Sequence, residues 1–165
     1  MRWLPFVLLS YLFVCVQFAL GAALRWGEAT PDLVLLLVVF VGLHAPPRVA
    51  LAGAVAAGLM ADVVAGQGIG TYAVGYALVA ALCGQLRDVL YPDHAVTHVT
   101  VTLVGGLAVA TYLEVRHGVR SIFFADEPTI AFVRRALGSA ATAALAVPVI
   151  WALRRMRRAF AFSSR

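Results

Sequence analysis

Apolar residues run in six stretches along the chain, separated by short clusters of Arg, Asp, Glu, His, Gly and Pro. The first stretch predicts a helix over residues 4–24, ended by Arg25, Gly27, Glu28 and Thr30. The second runs over residues 31–43. It opens on Pro31, which suits a first helical position because that position needs no N–H partner, and His44, Pro46, Pro47 and Arg48 end it. A hydrocarbon core about 30 Å thick needs roughly 20 apolar residues per helix. The second helix is short by that measure, so it either extends into the preceding break or is shielded by its neighbours. A third helix is expected over residues 49–65 and a fourth over 71–86, joined by the turn Gly66-Gln67-Gly68-Ile69-Gly70. Tyr72 and Tyr76 share a face of the fourth by their four-residue spacing. The fifth is expected over residues 95–113. A loop over 114–127 then leads to a sixth helix over 128–153, for which Asp126 is the expected N-cap.

Composition makes lipid the solvent for these helices. The chain is 62% hydrophobic and 13% charged, against about 45–50% and about 25% for soluble domains. Six spans with short connections use nearly all 165 residues, so the expectation is one all-α transmembrane domain over residues 1–165. Arg2 and the apolar run after it could open a signal peptide, but the run exceeds the usual apolar core of about 7–15 residues and more apolar segments follow, so an uncleaved first helix is expected. All thirteen basic residues are Arg. Five of them, Arg154, Arg155, Arg157, Arg158 and Arg165, lie beyond the last apolar helix, the pattern of a cytoplasmic anchor rather than of nucleic-acid binding. With six spans, Arg2, Arg48, Arg87 and those five share one side, and Arg25, Arg116, Arg120, Arg134 and Arg135 the other. The excess places both termini in the cytoplasm. Arg134 and Arg135 fall inside the sixth helix and must snorkel or pair.

Few residues could carry chemistry. Asp62 lies near the end of an otherwise apolar helix, where an ionisable group is a functional candidate; its plainer use is to cap or contact the glycine turn. Asp32, at the start of the second helix, falls on the same side. An ion pair with Arg25, Arg134 or Arg135 is expected there in preference to a catalytic dyad. His94 and His98 are four residues apart, but a zinc site needs three or four ligands, and a solvated helix start is the simpler expectation. The glycine turn lacks the Lys-Ser/Thr continuation of a phosphate loop, and its glycines suit a sharp bend. Cys15 and Cys83 read as apolar filler. Glu114, Arg116 and Arg120 read as a solvated outer face, with Phe123 and Phe124 dipping into the interface. Ser10, Ser121, Ser139, Ser163 and Ser164 lack a His at matching depth. No catalytic residue, cofactor or metal is therefore expected. Along the third helix, Gly53 with Ala57 and Ala54 with Gly58 form small-xxx-small pairs, which let helix backbones approach closely in lipid.

Pro31-Asp32-Leu33 opening an apolar helix, followed by Gly53, Gly58, Asp62, Gly66 and Gly70 and then Tyr76 in the next helix, resembles the MreD family of rod-shape-determining membrane proteins. The resemblance covers almost the whole chain. It implies a non-enzymatic component of the cell-wall elongation machinery in the bacterial cytoplasmic (inner) membrane, with Asp32, Asp62, Gly53, Gly58, Gly66, Gly70 and Tyr76 as structural or partner-binding positions. It implies a bitopic MreC-like partner and, through it, MreB, RodA and a penicillin-binding transpeptidase. It also implies a fold similar to the substrate-binding subunits of energy-coupling-factor vitamin importers. Such a subunit is the alternative reading, although the bulky first helix, with Ser10, Gly21, Ala22 and Ala23 as its only small stretch, speaks against it. A membrane enzyme is the third reading, and it lacks a nucleophile beside a base.

Overall fold

In the computed structural model, which describes residues 3–19, 31–66, 68–86, 95–121 and 129–155, every regular element is helical. The helices are α1 (Trp3–Ala19), α2 (Leu33–His44), α3 (Pro47–Ala65), α4 (Thr71–Leu86), α5 (Ala95–Ser121) and α6 (Thr129–Arg155). Residues 20–24 of the expected first helix lie outside the described residues, as do His94, Asp126 and the Phe123-Phe124 pair. α2 starts later than expected because Asp32 caps it from outside. The largest departure is α5. Its polar end, expected as a loop from Glu114, stays helical to Ser121. The physical reason is its partner: α5 packs along α6, and Arg135 Nη1 donates to Glu114 Oε1 at 2.8 Å where the loop was expected to begin.

Apolar side chains cover the outside as well as filling the core, and a few polar ones are buried among them. Leu4, Leu8, Val63, Val96 and Trp151 are exposed, while Ser10, Asp62, His98, Thr102, Ser139 and Thr142 are buried. Exposed apolar surface on this scale marks a surface that meets something other than water. Three helical segments, Pro47–Ala65, Val96–Arg116 and Arg135–Leu153, are long and apolar enough to cross a membrane by length and composition.

α2 is the axis. Residues Leu33 to Leu43 are all buried, as befits a helix that is apolar on every face. At about 1.5 Å per residue it spans only about 18 Å, well short of a bilayer core, and α1, α3, α4, α5 and α6 all pack on it. One side of it, with Val34, Leu35, Val38 and Val39, meets Ala54, Ala57, Ala61, Tyr76, Val79 and Cys83 of α3 and α4. The other, with Leu36, Leu37 and Phe40, meets Phe6 and Leu9 of α1 and Ala146, Ile150 and Leu153 of α6.

Small residues set how near the helices come. A Cβ on Gly58 would lie 2.6 Å from Ala73 N and 2.9 Å from Tyr72 C, so α3 and α4 touch backbone to backbone. A Cβ on Gly42 would lie 2.8 Å from Cys83 Cβ; Cys83 is a buried free thiol that fills this space, and Cys15 is free and half-buried. The small face of α3 is thus spent inside the protein. Without a hydrophobic drive between helices in lipid, such close packing carries much of the association.

Candidate functional site

The residues singled out in the sequence gather at two helix starts. At the first, Asp32 stands just outside α2 with extended backbone (φ −101°, ψ 95°). Its Oδ1 accepts from Leu35 N at 3.0 Å, three residues on, which is the N-cap bond. Its Oδ2 accepts from the Tyr76 hydroxyl of α4 at 2.7 Å. Its own N–H donates to Thr142 Oγ1 of α6 at 2.8 Å, and Val34 N donates to Gln17 Oε1 of α1 at 3.1 Å. A helix start leaves its first N–H groups without intrahelical partners. Here those of Asp32, Val34 and Leu35 are met by side chains from α6, α1 and the cap itself, in a setting where unmet polar groups cost about 1–3 kcal/mol or more each.

At the second, Asp62 is fully buried in the last turn of α3. Its carboxylate reaches over the glycine turn to the start of α4. Oδ2 accepts from Gly70 N at 2.8 Å and from Ala73 N at 3.4 Å, and Oδ1 accepts from Tyr72 N at 2.7 Å. Gly70 occupies the place where an N-cap side chain would normally stand, with φ +94°, a conformation that favours glycine. Asp62 supplies the missing acceptor from the preceding helix. Negative charge at a helix start is favourable with the helix dipole as well. Gly66 ends α3 in the left-handed region (φ 63°), its N–H donating back to the carbonyls of Asp62 and Val63. Thr71 closes the turn through its N–H and hydroxyl, both donating to Gly68 O.

α4 joins the two centres. Tyr72 gives its N–H to Asp62, Tyr76 gives its hydroxyl to Asp32, and their rings lie 5.8 Å apart. Asp32, Asp62, Gly58, Gly66, Gly70 and Tyr76 therefore form one end of the molecule. Gly53 lies apart, under the ring of Phe6, whose Cζ would be 3.1 Å from an added Cβ.

Of the arginines expected to pair with Asp32 and Asp62, Arg135 is committed to Glu114, and the described partners of the two acids are backbone N–H groups and a phenol. Arg25 and the side chain of Arg134 lie outside what the structure describes. His98 was expected at a solvated helix start, yet it is buried, with its ring stacked 5.6 Å from that of His44 at an interplanar angle of 7°. The packing of α5 on α2 draws it in. Gln17 and Thr142 were missed. Gln17 is an amide in the apolar run from Phe13 to Phe18, and Thr142 a hydroxyl among alanines. Each is a polar residue in an otherwise apolar helical stretch, a signal that flags it but does not say what it bonds.

Chemically, this geometry holds helix ends in place. Both oxygens of each carboxylate are occupied by donors from the chain itself, and among the described residues no three His, Cys, Asp or Glu gather to hold a metal.

Compared with known families, the chain matches the family described as MreD, rod shape-determining protein MreD, over residues 1–157. No curated protein and no solved structure matches it.

Proposed function

The chain belongs to the MreD family, the rod shape-determining proteins, and from that premise we propose that it is a non-enzymatic membrane scaffold of the bacterial cell-wall elongation complex that binds an MreC-like bitopic protein. Membership of this family, which is one of shape-determining proteins rather than of known enzymes, already implies a role in rod shape. Through the partner the scaffold connects with MreB, RodA and a penicillin-binding transpeptidase. It lies in the cytoplasmic membrane with six spans and both termini inside, the orientation that the arginine distribution favours. Three of those spans are supported by length and composition. α2 is too short to face lipid alone, and burial by its neighbours makes it usable as a span.

The observation that carries the scaffold reading is the employment of the two acids. Asp62 gives both oxygens to the first N–H groups of α4, and Asp32 both of its to Leu35 and Tyr76, so each acid is engaged in holding a helix start. With little chain outside the apolar segments, the partner meets helices first.

The test is complementation of a strain lacking its MreD, read together with recovery of the MreC-like partner in mild detergent. Wild-type chain should restore rods and recover the partner, and Asp62→Ala should lower the protein's own level or the partner recovered with it. Rod shape restored without any partner recovered would remove the scaffold reading.

A further inference from the structure

Two helix pairs are interlocked along their own length. In α3/α4, backbone meets backbone at Gly58 and Ala73, and the Asp62 carboxylate holds the first turn of α4. In α5/α6, a Cβ on Gly106 would come 2.6 Å from Ser139 Cβ, and Arg135 bonds Glu114. Neither pair can slide internally without breaking a charge-assisted bond and separating tightly opposed surfaces.

Contacts between the two pairs are of another kind. A Cβ on Gly75 of α4 would stand 3.4 Å from Val109 Cγ1 and 3.6 Å from Tyr112 Cδ1 of α5, and one on Gly105 would stand 3.0 Å from Val79 Cγ1. These are side-chain tips resting on glycine, and the guanidinium of Arg116 of α5 likewise lies over Gly68 of the α3–α4 turn, its Nη2 3.2 Å from where a Cβ would stand. Among the described residues, Asp32 is hydrogen-bonded to both pairs. Asp32 accepts from Tyr76 of α4 through its carboxylate and donates to Thr142 of α6 through its N–H.

We propose that Asp32 is a joint, about which the α3/α4 and α5/α6 pairs shift as two rigid bodies against the buried α2. Interlocked pairs move as units, and shifts of packed helices by small amounts are an established way for such units to change state. The bonds at Asp32 set the relative position of the two units, and either can break while both pairs stay intact. A partner that favours one placement of the pairs shifts the balance by its differential affinity. The inference goes beyond the scaffold role and does not depend on which partner binds.

The test is pulsed electron–electron distance measurement on the full chain in bilayer nanodiscs, in a background carrying Cys15→Ala and Cys83→Ala. Spin labels go on exposed positions: Leu59 with Leu78 inside the first pair, Leu103 with Val147 inside the second, and Leu59 with Leu137 between them. Tyr76→Phe and Thr142→Val each remove one bond at the joint with little change of shape. Each should shift or broaden the between-pair distance by roughly 1–2 Å or more, leaving both within-pair distances as in the parent. Between-pair distances unmoved in both variants would overturn the proposal, and so would within-pair distances that broaden as much as the between-pair one.

Discussion

Asp32 and Asp62 each cap a helix at the same end of the molecule, but they recruit from very different distances along the chain. Asp62 takes N–H groups 8 to 11 residues away, across one tight turn. Asp32 keeps one local bond and reaches helices 44 and 110 residues away in sequence for the others. The first centre is a local device that builds the α3/α4 hairpin. The second is a tertiary device that exists only once α1, α4 and α6 have closed around α2. Among the described residues the Asp62 carboxylate has only backbone partners, which no side-chain substitution removes, whereas Asp32 can lose Tyr76 or Thr142 singly.

Substitutions at and around the two centres separate their roles. The largest effect is expected from Gly58→Leu, which drives a side chain into the Ala73 backbone; no flexible side chain can yield there, so the loss should exceed about 3 kcal/mol, the upper end of the usual cost of overpacking. Loss of folded protein in a detergent unfolding titration is the readout. The same titration on Gly53→Ala should show little change, because the Phe6 ring can move and alanine is favoured over glycine in a helix by roughly 0.5–1 kcal/mol.

Asp62→Ala comes next. It strands buried donors at the start of α4, each worth roughly 1–3 kcal/mol when unmet, so a loss of about 3 kcal/mol is expected. Asp32→Ala should cost less, about 1–2 kcal/mol, the range of a lost N-cap, since Gln17 and Thr142 still serve the start of α2. If Asp32→Ala proves the more damaging of the two, the local-versus-tertiary distinction fails. Tyr76→Phe should cost about 1 kcal/mol, one hydrogen bond. Glu114→Gln should be mildest, ~0.5 kcal/mol, because its pair with Arg135 is partly open to solvent.

The same contrast explains what could be read from the chain beforehand. The hydrophobic pattern places the six described helices, and the glycine turn with Asp62 just before it makes a cap one of two open readings, because those partners are neighbours in sequence. α5 was cut short because its polar end looks like a loop until α6 supplies Arg135. Asp32 is legible as the start of a helix, but nothing in a one-dimensional pattern says that Tyr76 and Thr142 converge on it. His98 was misread for the same reason: only the packing of α5 against α2 buries it. Long-range partners are decided by which helix faces meet, and in lipid that depends on small residues such as Gly58 and Gly106 whose opposite surfaces cannot be inferred from spacing alone.

The central claim is that the two acids serve the fold, and that rod-shape function follows from having the folded chain in the membrane. It is tested most directly by measuring, across wild type, Asp32→Ala, Asp62→Ala, Asp62→Asn and Tyr76→Phe, both the amount of folded protein in the membrane and the restoration of rod shape. The account predicts one relation for the whole series, in which shape falls only as folded protein falls. An Asp62→Asn chain present at the wild-type folded level yet unable to restore rods would contradict it, because the carboxylate would then be acting on something other than the start of α4.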